Sequence, residues 1–158
     1  MAKPIVGIMG PGENARPEEN EMAFALGKAI AEHGWIVLTG GRSFGIMEAA
    51  MKGAHEADGL TIGILPGDNL QNSSDDADIK ILTGMGSARN MINVLSSHIL
   101  VVIGMAAGTA SEVALAIKAN KKIILLHQDE ITIRFFKNSY GTTRPRKKTG
   151  KKKTGPAK

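Results

Sequence analysis

His98-Ile99-Leu100-Val101-Val102-Ile103-Gly104-Met105-Ala106-Ala107-Gly108-Thr109-Ala110-Ser111-Glu112 is the stretch that decides the fold. Ile99 to Ile103 is an unbroken apolar run of strand length, and four of its five residues are β-branched. A strand with no polar alternation reads as buried on both faces, which is the habit of a central strand in a parallel sheet. The glycine turn behind it opens a helix expected from about Thr109 to about Ala119. Strand, glycine turn and helix together form the repeating unit of an α/β sheet.

The same unit recurs on both sides. Short apolar runs at residues 4–9, 35–39, 60–65, 79–82 and 122–126 alternate with helical patterns at about 17–33, 45–56 and 87–97. In the first helix Met22, Ala25, Leu26, Ala29 and Ile30 recur at three- and four-residue spacing. Pro17 suits its first turn, Glu18 and Glu19 suit its positive end, and Gly34 ends it. Residues 68–78 are polar and read as a flexible loop, and a short helix is expected over 129–137. The reading is a Rossmann-like α/β domain: a three-layer α/β/α sandwich with a mainly parallel sheet, over residues 1–140. Residues 141–158 form a basic C-terminal tail.

Length and composition agree. A chain of 158 residues fits one domain, and at 42% hydrophobic it can bury a core without staples. It has no cysteine, which excludes disulfides, thiolate metal sites and a cysteine nucleophile. No leader-like or membrane-length apolar run is present, so a soluble, cytoplasmic protein without membrane contact is expected. The pI of about 9.6 misleads. Residues 144–158 hold six Lys, two Arg and no acid, so of the formal +5 the remaining 143 residues carry −3. Lys-Lys-Thr-Gly occurs twice there, at 147–150 and 152–155. Such a segment has nothing to bury and is expected to be a solvated tail, with weak attraction to nucleic acid or acidic partners as the alternative.

Ligands of doubly wound sheets bind beyond the carboxyl ends of the strands. Glycines follow four strands at that edge: Gly10 and Gly12, Gly40 and Gly41, Gly84 and Gly86, Gly104 and Gly108. They predict one cleft floor where backbone approaches an anionic, phosphate-bearing ligand. Two helix starts, near Ser87 and near Thr109, would converge on that anion. Thr109 and Ser111 would add hydroxyls, Arg89 a planar charged fork and Glu112 the one carboxylate. Structural roles compete with these. Thr109 and Glu112 have the spacing of a capping box, and Arg89 suits an exposed helix face. Gly7-Ile8-Met9-Gly10-Pro11-Gly12 lacks the GxGxxG spacing, so NAD is not expected. His33, His55, His98 and His127 are scattered, and no metal site is expected.

Taken in order, several motifs form a pattern. They are Leu38-Thr39-Gly40-Gly41, Gly45-Ile46-Met47-Glu48-Ala49-Ala50, Ile62-Gly63-Ile64-Leu65-Pro66, Met85-Gly86-Ser87-Ala88-Arg89-Asn90 and Gly108-Thr109-Ala110-Ser111-Glu112. Over nearly all of residues 4–127 the chain resembles the molybdenum cofactor carrier proteins and their relatives, the LOG-type phosphoribohydrolases. The resemblance implies a homo-oligomer, dimer or tetramer, that binds the molybdenum cofactor (a pterin bearing a phosphate) without catalysis. The implied binding residues are Gly10, Gly12, Gly40, Gly41, Arg89, Asn90, Gly108, Thr109 and Ser111. The alternative it implies is a nucleoside 5′-monophosphate phosphoribohydrolase, in which Arg89 and Glu112 would assist cleavage of the base–ribose bond. Two departures from the LOG pattern stand out. Asn90 replaces a lysine, and Gly104-Met105-Ala106 replaces Pro-Gly-Gly. If Met105 had to adopt positive φ it would be strained by roughly 1 kcal/mol, so a differently running loop is expected.

Overall fold

The computed structural model describes residues 2–143, with side chains through Ser139. The tail expected over 141–158 therefore lies almost wholly outside the described residues. Six strands alternate with five helices: β1 Ile5–Met9, α1 Pro17–Glu32, β2 Ile36–Thr39, α2 Gly45–Glu56, β3 Thr61–Leu65, β4 Ile79–Leu82, α3 Asn90–Ser96, β5 Ile99–Ile103, α4 Ala107–Lys118, β6 Lys122–Leu126 and α5 Glu130–Thr143. A 3₁₀ turn, Gly86–Arg89, leads into α3.

The strands form one sheet in the order β4-β3-β2-β1-β5-β6, with every neighbouring pair parallel. Right-handed crossovers place helices on opposite faces once the winding direction reverses. The strands' alternation meets them there. Val6, Ile8, Val37, Val101 and Ile103 pack against Ala23, Ile30, Ile46 and Ala50 of α1 and α2. Met9, Leu38, Leu100 and Val102 face the other way, against Val94, Val113, Ala116 and Phe136 of α3, α4 and α5. These are the two faces of a three-layer sandwich. Direction reverses between β1 and β5, so their carboxyl ends splay apart and leave a crevice there.

Three local expectations change. The polar loop before β4 is tied down: Asp78 Oδ2 accepts from the Thr61 N–H (2.9 Å) and from its hydroxyl (3.1 Å). Helix α4 starts at Ala107, two residues early, because Gly104 takes the left-handed turn at φ 69° and Ala106 is the extended N-cap. Met105 is not among the residues at positive φ and bears no such strain. Helix α5 continues to Thr143, six residues beyond the expected end. Among the described residues no helix is long and apolar enough to cross a membrane.

Candidate functional site

At the β1/β5 crevice a cleft of about 240 Å³ opens between the turns after β1, β2 and β5. Gly10, Gly12, Gly40, Arg89, Asn90, Gly108, Thr109 and Glu112 all line it. Two expected residues do not. Gly41 faces Gly63 of β3, where a Cβ would lie 3.0 Å from backbone, so its missing side chain serves packing between strands. Ser111 is exposed and touches the cleft only through its bonds to Asn90 and Gly108. Gly84 and Gly86 are absent too, because their N–H groups donate to the carbonyls of Gly67 and Pro66 and shape a separate turn. Three glycine clusters, not four, border the cleft.

Arg89 is buried, 9% exposed, rather than lying on a helix face. Its position at the end of the 3₁₀ turn sends the side chain under the sheet edge. Nε donates to the Ile64 carbonyl (2.7 Å), Nη1 to Asn90 Oδ1 (3.0 Å) and Nη2 to the Gly40 carbonyl (3.4 Å). All three acceptors are neutral. Burial pulls the guanidinium below the ordinary arginine range while the charge of Glu112 opposes that. It nonetheless stays cationic, since arginine does not lose its proton in proteins. A buried cation whose bonded partners are all neutral attracts an anion.

Asn90 and Ser111 explain how the fork is held. Asn90 Nδ2 donates to Ser111 Oγ (2.9 Å), and Ser111 Oγ donates to the Gly108 carbonyl (2.6 Å). A relay thus runs from Arg89 to the first turn of α4. A lysine at position 90 could not accept from Arg89, which gives the departure from the hydrolase pattern a structural reason. No side chain caps α4, so its first-turn N–H groups open on the cleft beside the guanidinium. The capping-box reading fails. Thr109 is the third helical residue and Glu112 accepts elsewhere. The second expected helix end also contributes less than the sequence implied, since the Gly86 N–H is already consumed by Pro66.

Glu112 is 7% exposed, and Asn93 Nδ2 donates to its Oε2 (3.1 Å). Burial pushes its carboxyl up to about 7, against the opposing pull of that hydrogen bond and of Arg89. Asn93 also lines the cleft and is 1% exposed, and its Oδ1 is buried without a partner. Sequence reading missed Asn93 because an asparagine in an apolar helix has no motif around it. It also missed Arg42 at the rim, which pairs with Glu13 (3.0 Å) and lies over the Phe44 ring. Its place directly after Gly40-Gly41 was the available signal. Among the described residues no group of three His, Asp or Glu side chains could hold a metal ion.

Comparison with known proteins agrees with this architecture. The molybdenum cofactor binding protein of Rippkaea orientalis superposes with a TM-score of 0.89 at 52% identity, covering 90% of this chain and 88% of that one. The Moco carrier protein of Chlamydomonas reinhardtii gives 0.82 at 55% identity, over 87% and 85% of the two chains. An uncharacterised protein of Archaeoglobus fulgidus is 42% identical over 121 residues, 77% of this chain and 78% of its own length. Residues 3–152 match the SLOG cluster4 family, and with the parallel sheet and its switch-point cleft in place, the chain belongs to that family.

Proposed function

We propose that the protein binds the molybdenum cofactor, a pterin bearing a phosphate, and carries it without changing it. The observation that carries this reading is the Arg89 guanidinium, buried on neutral acceptors beside the uncapped start of α4. A phosphate dianion there would meet a planar fork and several backbone donors. The two similar structures are of proteins that bind or carry this cofactor, which supports the same cargo here. Gly10, Gly12, Gly40, Gly108 and Thr109 form the cradle, and Asn90 and Ser111 position the fork.

Purified cofactor incubated with the protein is expected to co-elute and bring molybdenum measurable by elemental analysis. Absence of both at high protein concentration overturns the carrier. A second reading, the phosphoribohydrolase, is favoured by Arg89 and Glu112 sharing the cleft. It requires free base to be released from nucleoside monophosphates and that release to vanish in Glu112→Ala. The carrier reading expects no base from either protein.

Self-association is proposed on the apolar residues left exposed at both sheet edges, Ile79 and Ile81 on β4 and Ile124 on β6. Light scattering should return the mass of a dimer or tetramer, and a monomer at micromolar concentration would refute it.

A further inference from the structure

Beyond Pro11 and Ala106, which it shares with the first cleft, a second cleft of about 470 Å³ opens between the turns after β1, β5 and β6. It contains a charged cluster that the anion site does not use. Glu19, 3% exposed, takes the Arg16 guanidinium on Oε1 (2.9 Å) and the Arg16 backbone N–H on Oε2 (2.9 Å). His127 Nδ1 lies 3.1 Å from the same Oε1. Burial raises the Glu19 carboxyl, but the Arg16 and His127 hydrogen bonds outweigh it and hold it below the usual range. Arg16 Nη2 lies 3.3 Å from the same His127 Nδ1. These two contacts orient the imidazole through Nδ1 and leave Nε2 to a ligand.

The backbone is specialised at two points around this cluster. His127 sits in the left-handed region at φ 52°, which His, like Asn and Asp, enters more often than other side chains do. Gly104, at φ 69°, has no space for a Cβ because Glu19 Oε1 would lie 2.7 Å from it. The turn that leads to α4 is thus shaped around the carboxylate that aims His127.

Size links the two clefts. Small-molecule sites occupy about 300–1,000 Å³, and the first cleft alone, at about 240 Å³, falls below that range. It suits a phosphate but not a phosphate with its ring system, whereas the adjoining space brings the whole within range. We infer that the second cleft holds the ring end of the ligand whose phosphate occupies the first, with His127 Nε2 making a hydrogen bond to a polar atom of the ring system. This rests on the carrier reading above and assigns a place to the part of the cargo that Arg89 does not touch.

The test compares wild type with His127→Asn, since asparagine keeps the left-handed backbone and removes the reach of the ring. Two probes are titrated anaerobically into the full chain: sulfate, which needs only the first cleft, and metal-free molybdopterin, followed by its fluorescence. The expected result is unchanged sulfate affinity and about tenfold weaker molybdopterin binding, the worth of one desolvated hydrogen bond. The ¹⁵N shift of His127 Nε2 should move with molybdopterin and not with sulfate. Equal molybdopterin affinity in the two proteins overturns the inference, as does equal weakening of both probes. A loss confined to the molybdenum-loaded form also overturns it, because His127 would then meet the metal. Wild type that binds sulfate but no molybdopterin in either form removes the carrier reading itself.

Discussion

Arg89 and Glu112 stand 23 positions apart, and folding gives them opposite problems. The cation is buried on neutral oxygens and the acid is buried with one amide donor. Arg89→Met should weaken sulfate or phosphate binding about 100-fold, since charge-assisted hydrogen bonds are worth roughly 1.5–3 kcal/mol each. The stabilisation of the melting temperature by phosphate should vanish with it. Glu112 predicts a pH effect. Its folded pKa of about 7 lies above the unfolded value of 4.5, so its stabilising contribution is full below pH 4.5 and is lost as pH rises through 7. The loss is on the order of 3 kcal/mol at pH 8. Glu112→Gln, which can still accept from Asn93, should flatten that fall in thermal melts at pH 5 and pH 8. Sulfate keeps its charge over this range, so its affinity should drop above pH 7 in wild type and stay level in the variant.

At the scale of elements, two joints matter. Ser111 ties Asn90 to the first turn of α4. Ser111→Ala should therefore cost about fivefold in sulfate affinity, close to 1 kcal/mol for a hydrogen bond, without changing the fold as seen by circular dichroism. Helices α1 and α2 meet backbone to backbone, and a Cβ on Gly27 would run into the Ala50 carbonyl. Gly27→Ala should destabilise the protein by about 1–3 kcal/mol, read as a lower denaturant midpoint, because two packed helices must separate. Strand and helix identities were legible from alternation and three-to-four spacing. The ends were less so. The start of α4 depends on the path of Gly104-Met105-Ala106: Gly104 takes the left-handed turn, and Glu19 from another helix packs against it where a Cβ would stand.

For the whole molecule, the charge division between residues 1–143 and the basic residues 144–158 predicts separable behaviour. If the tail attracts nucleic acid, deleting 144–158 should abolish salt-sensitive retention on DNA or RNA. If it is only solvated, neither protein is retained, and in both cases sulfate affinity stays within twofold. Retention that survives the deletion would place the nucleic-acid surface on the acidic domain instead.

The sequence by itself determined the order of strands and helices, the parallel sheet and the edge at which a ligand would bind. Those follow from local patterns: which residues alternate, which recur at helical spacing, and where glycine interrupts them. Tertiary structure decided which of the marked residues share a cavity. It buried Arg89, raised the Glu112 carboxyl to about 7, left Gly41 and Ser111 out of the cleft lining, and joined Glu19 to His127 across 108 positions. Desolvation and long-range contact belong to the packed chain, and no window of neighbouring residues contains them.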